Sequence, residues 1–132
     1  MLTRRSALFL WIGDALLLGA FVLLGMGTHA TLGGPSALAR FAAFAAPLLG
    51  AWTLASAGLG ALQFLPPLRW RVIWGRTLAA WLIAAPLALL ARALLLGADT
   101  VVVAFTLVTL ALGGGLLLLW RSLFIWLAYG PL

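Results

Sequence analysis

Apolar residues fall in four long runs along the chain, and in none of them do apolar and polar residues alternate. The runs are 7–27, 41–62, 77–96, and a last one from 100 to at least 120. Each reaches the roughly 20 residues that a helix needs to cross the hydrocarbon of a bilayer. Barrel strands would show shorter, alternating segments. Only helices and closed barrels satisfy the backbone within lipid. The pattern therefore predicts an all-α integral membrane bundle of four transmembrane helices, one membrane domain over 1–132.

The connections carry turn chemistry. Gly33-Gly34-Pro35 breaks the chain after the first run, and Ser36 can cap the next helix. Gly97-Ala98-Asp99-Thr100 makes a tight hairpin with Asp99 as N-cap of the fourth helix. Pro66-Pro67 ends the second helix. Beyond it, Trp70, Ile73 and Trp74 share one helical face, flanked by Arg69, Arg71 and Arg76. Two readings stand for 67–76: a short helix lying in the headgroup region, or a loop with interfacial tryptophans. The fourth helix either continues to about Tyr129, the preferred reading, or stops near Arg121 and turns along the interface. Arg4 and Arg5 before an apolar run imitate a signal peptide. This run exceeds the about 7–15 residues of a secretory core, so it reads as an uncleaved first span.

Composition strengthens the membrane reading. Of 132 residues 66% are hydrophobic and 8% charged, whereas soluble domains carry about 25% charged residues. The net charge of +6 comes from eight arginines placed at the edges of the apolar runs, not gathered on a soluble face. That excludes nucleic acid as a partner and makes the arginines topology signals. Four spans put Arg4, Arg5, Arg69, Arg71, Arg76 and Arg121 on one side. His29, Arg40 and Asp99 lie on the other, with Arg92 just short of it. An excess of Arg marks the cytoplasmic side, so both termini are expected in the cytoplasm. There is no cysteine. One histidine and two aspartates leave no acid pair, metal-ligand spacing or nucleophile triad, so no catalytic or metal site and no enzyme activity are expected.

Lipid tails are as apolar as leucine, so membrane helices associate through close packing at small residues. Ala42, Ala46 and Gly50 recur at four-residue spacing on the second helix, beside Ala51 and Ala55. Ala15 and Gly19 do so on the first, and Thr109 and Gly113 on the fourth. The run Gly113-Gly114-Gly115 permits close contact, a bend or approach of a ligand, with close contact placed first. Pro47 and Pro86 sit near the middle of their spans and are expected to kink them. Such breaks also occur in transporters.

Asp14 is the costly residue. It lies about two turns inside the first span, where a charged carboxylate costs about 2.5–3.5 kcal/mol. It needs a proton or a partner, and Arg121, Arg4 and Arg5 are within reach of its level. The readings are an interhelical clasp or a proton- or ion-handling carboxylate. Arg92, about one turn from its helix end, reads as an anchor or as a partner of Asp99. His29 reads as a loop residue near Arg40, or as an axial ligand for a haem or chlorophyll.

These residues also form a recognisable order. Gly13-Asp14 is followed by Gly25, Gly27 and His29, by Pro47, Gly50 and Trp52, by Trp81 and Arg92, and by Phe105 and Trp120-Arg121. In order and spacing the chain resembles a family of small prokaryotic membrane proteins called domain of unknown function 3054, over about residues 8–121. The resemblance implies four helices in a prokaryotic inner membrane and no assigned activity, and it singles out Asp14, His29, Arg92 and Arg121. The expected function is an accessory or structural subunit of a larger membrane complex, with the lipid bilayer and other subunits or itself as partners and no cofactor required. The alternatives are an oligomeric transporter or channel using Asp14, and pigment or haem binding through His29.

Overall fold

In the computed structural model, residues 4–28, 37–63, 69–95 and 103–130 are described. They form four helices: α1 (Arg4–Thr28), α2 (Ala37–Gly58), α3 (Trp70–Leu95) and α4 (Val103–Tyr129). All four are long and apolar enough to cross a membrane. The fold is thus the all-α, four-helix arrangement that the apolar runs predict.

The helices pack in ring order, α1 on α2, α2 on α3, α3 on α4 and α4 on α1, with α2 and α3 the most intimate pair. The cross-links run antiparallel. Trp11, early in α1, donates through its indole N–H to Thr53 Oγ1 late in α2 (2.8 Å). Trp74, early in α3, donates to Ser122 Oγ late in α4 (3.1 Å). Both described chain ends therefore lie at one end of the bundle, together with Arg69, Arg71 and Arg76.

Each helix buries a narrow stripe. Leu10, Asp14, Leu18 and Val22 line α1 at one residue per turn, and Leu117, Arg121 and Ile125 do the same on α4. Most of the large apolar residues that face outward are leucines, among them Leu16, Leu24, Leu54 and Leu119. This outward apolar surface is what lipid would solvate.

Small residues let helices approach at the expected Thr109 and Gly113 of α4 and at Ala51 and Ala55 of α2, but the main alanine stripe of the core lies on α3, which was not expected. Ala80, Ala84, Ala85 and Ala88 of α3 are buried in the core with Leu48 and Trp52 of α2. Ala42, Ala46 and Gly50 of α2 face outward, and a Cβ on Gly50 would meet nothing within 4 Å. Gly113 is buried, and so is Thr109.

Two further expectations change. Trp70–Arg76 is neither a separate interfacial helix nor a loop but the first two turns of α3. Ile73 turns inward and packs with Leu10 and Ile125, which keeps the helix in the bundle. At about 1.5 Å per residue, the 26 residues of α3 are longer than a roughly 30 Å hydrocarbon layer. The end of α2 is set before Pro66-Pro67. Gly60 adopts φ +68°, while Ala61 N–H bonds Ser56 O and Gly60 N–H bonds Ala57 O. That is the glycine-terminated Schellman motif. α4 continues unbroken to Tyr129, as preferred, and ends on Gly130 at φ +78°. α2 and α3 both run through their prolines.

Candidate functional site

Every helix buries polar side chains: Asp14 on α1, Ser56 on α2, Thr77 on α3, and Thr109 and Arg121 on α4. Leu10, Ile73 and Ile125 form a small cluster toward the arginine-rich end. Leu18, Trp81 and Leu117 begin the main core. Along the bundle axis, the buried Asp14 and Arg121 therefore have apolar residues on both sides.

Asp14 and Arg121 form the centre of the site. Arg121 Nη2 donates to Asp14 Oδ2 at 2.6 Å, and both side chains have no exposed surface. The indole N–H of Trp52 donates to the same oxygen at 3.1 Å. Arg121 Nη1 donates to the carbonyl of Ala61. Its guanidinium also lies 5.3 Å from the Trp52 ring centre, a cation–π distance.

The local fold explains these contacts. The Schellman turn after α2 bends the chain inward, so that Ala61 is buried and its carbonyl is free to accept. Helix C-termini carry partial negative charge and unpaired carbonyls. Arg121 and Arg76 supply the donors, Arg76 reaching both Gly60 O and Gln63 O at 3.4 Å. One guanidinium thus ties α1, α4 and the end of α2 together. Ser56 and Thr77 return their hydroxyls to their own helices, bonding Thr53 O and Ile73 O.

Three buried polar atoms of this neighbourhood make no hydrogen bond: Asp14 Oδ1, Arg121 Nε and Trp120 Nε1. The Trp120 indole interacts with the Asp14 carboxylate without reaching hydrogen-bond geometry. Its ring occupies the space above Gly13, where any Cβ would overlap it. Gly13 is therefore the residue that lets α4 come close enough for Arg121 to meet Asp14.

Trp52 and Trp81 extend the site into the core. They meet edge to face at 6.2 Å. Trp81 donates to Leu110 O of α4 at 3.0 Å, with its ring against Gly113 and Gly114.

Of the residues marked in the sequence, the structure joins Asp14 and Arg121. Arg92 stands apart, its guanidinium 5.0 Å from the Phe44 ring centre on α2. His29 and Asp99 lie outside the described residues, as does the Arg40 side chain, so the Arg92–Asp99 pairing does too. Among the described residues no group of acids or histidines could hold a metal ion. Sequence reasoning missed Trp52, Trp120 and the Ala61 carbonyl as parts of the site. The signal for Trp52 was its place in the middle of the run 41–62, since a buried indole N–H needs an acceptor. Trp52→Phe keeps the ring and removes that donor. It is expected to cost about 1.5–3 kcal/mol, as for a hydrogen bond to a charged group, read from detergent unfolding curves.

Residues 11–124 match the family described as "Protein of unknown function (DUF3054)". No curated protein and no solved structure matches the chain.

Proposed function

The chain belongs to this family of proteins of unknown function, and for it we propose the role of a non-enzymatic accessory or structural subunit of a larger membrane complex. One observation carries the reading: the small-residue face Ala42, Ala46 and Gly50 of α2 looks outward, unused by the other three helices. In lipid, a face of this kind favours another helix, because backbones can approach where side chains are short. The inward charges support the same reading. Asp14 and Arg121 hold each other, which suits a clasp better than a carboxylate loading and releasing protons. We place the protein in the inner membrane of a prokaryote, with the arginine-rich end and both termini in the cytoplasm, because arginine accumulates there.

The experiment is a gentle pull-down from native membranes with native-detergent size analysis. The wild type is expected to run as an assembly. Ala46→Leu and Gly50→Leu place bulk on the outer face, so they should release the partner while the melting temperature stays within a degree or two of wild type. A lone monomer at every detergent concentration, or unchanged capture by both variants, contradicts the reading.

A further inference from the structure

The arginines and the acids of the chain do not balance, and the imbalance is local. Only two side-chain carboxylates exist, Asp14 and Asp99. Asp14 is buried against Arg121. Asp99 falls in the connection between α3 and α4, which leaves the bundle at the opposite end from Arg69, Arg71 and Arg76. Arg76 is partly engaged by the carbonyls of Gly60 and Gln63. Arg69 and Arg71 are exposed, and among the described residues no acidic side chain pairs with them. Both guanidinium groups are therefore open to an external anion.

The surface between them and the core is not that of a soluble anion site. Trp70 and Trp74 lie against each other with ring centres 6.0 Å apart. The Trp74–Ser122 bond crosses from α3 to α4 and fixes the register of the seam. In antiparallel helices, one turn back on α3 is level with one turn on along α4, so Trp126 stands level with Trp70. Trp74 and Trp126 are exposed. Below them Leu78 is exposed where α3 meets Gly114 of α4. From the end inward, the seam runs charge, aromatic ring, aliphatic side chain, the same order as phosphate, glycerol and acyl chain.

We propose that this end of the α3–α4 seam binds an anionic phospholipid, with Arg69 and Arg71 holding the phosphate and Trp70, Trp74 and Trp126 seating the glycerol region. The start of α3 adds to the attraction. Arg69 occupies the capping position, its carbonyl accepting from Val72 and Ile73. An arginine side chain has no acceptor for the free N–H groups of the first turn, so their partial positive charge faces the same headgroup. The tryptophans contribute an amphipathic ring at the depth where such rings prefer to sit. The site rests on the chain lying in a bilayer but is independent of the accessory role, since it uses the other side of the bundle from Ala42, Ala46 and Gly50.

The test uses the full chain, vesicles of phosphatidylglycerol or phosphatidylcholine with identical acyl chains, and inorganic phosphate as a third probe. Native mass spectrometry counts retained lipid, and melting in each vesicle reports stabilisation. Phosphatidylglycerol is expected to be retained in preference to phosphatidylcholine and to raise the melting temperature, while millimolar inorganic phosphate does neither. The double variant Arg69→Gln/Arg71→Gln should lose roughly thirty-fold in that preference, about fivefold per arginine near an anionic surface, with unchanged melting in phosphatidylcholine. Equal retention of the two lipids, or wild-type preference in the double variant, overturns the site. A shift by inorganic phosphate equal to that by the lipid overturns the lipid as its occupant. Flotation with phosphatidylcholine vesicles tests membrane residence by itself. A chain that fails to float refutes the bilayer premise and the proposal with it.

Discussion

Asp14→Leu is expected to destabilise the bundle by about 3–5 kcal/mol, the loss typical when one partner of a buried ion pair is removed. The variant leaves the Arg121 guanidinium fully buried with only the Ala61 carbonyl and the Trp52 ring beside it. A guanidinium cannot shed its charge. Arg121→Met leaves a carboxyl group instead, which can take up a proton and become neutral while still accepting from Trp52. The loss there is expected to be smaller. The double variant Asp14→Leu/Arg121→Met removes both charges and should recover most of what Asp14→Leu loses, since apolar replacement of a buried pair is often neutral or better. Equilibrium unfolding in mixed detergent gives all three values. If the double variant loses the sum of the two single losses, the pair is not coupled and the clasp assigned to it is wrong.

The glycine run of α4 yields the second large effect, and here neighbouring residues should differ. A Cβ on Gly113 would overlap the Trp81 ring. That ring cannot easily move, because it is fully buried, bonded to Leu110 O and packed against Trp52. Gly113→Ala should therefore cost about 1–3 kcal/mol, the usual range for overpacking a core. Gly115 faces outward, and a Cβ there would meet nothing within 4 Å. Gly115→Ala should be neutral or stabilising by up to about 1 kcal/mol, the helix-propensity difference between the two residues. Gly114 lies between, with its Cβ position 3.1 Å from Trp81 Cδ1, and an intermediate cost is expected. Thermal melting of the three variants in one detergent decides it. Equal effects at 113 and 115 would mean that the run serves helix bending, not a seat for Trp81.

Much of the architecture was legible in the chain because lipid imposes length. A run of about 20 apolar residues has one inexpensive solution, and four runs give four helices. Asp14 was legible for a related reason: a carboxylate inside such a run is costly, so it demands a partner. Arg121 was a candidate because four spans bring the end of the fourth helix to the level of the start of the first. Trp52 was not legible as a ligand of that carboxylate. Its place in the middle of the run 41–62 shows depth, but not the direction in which the indole N–H is turned.

The faces of the helices were the part that sequence left open. A soluble helix shows its buried side as an apolar stripe against polar residues. Here leucine serves outside and inside alike, so apolar periodicity has no contrast to report. Two stripes of small residues compete for the core, Ala42-Ala46-Gly50 on α2 and Ala80-Ala84-Ala88 on α3, and they look equivalent along the chain. Tertiary packing chose the second. The α2 face that carries Leu48, Trp52 and Ser56 has to turn inward so that Trp52 can reach Asp14, and that rotation carries Ala42, Ala46 and Gly50 outward. The sequence alone determined the number of helices and the need of Asp14 for a partner, because each follows from the cost of polar groups in an apolar medium. The tertiary structure alone decided which residues surround that partner and which small-residue face stays open, because those depend on shape and hydrogen-bond direction, to which hydrophobicity is blind.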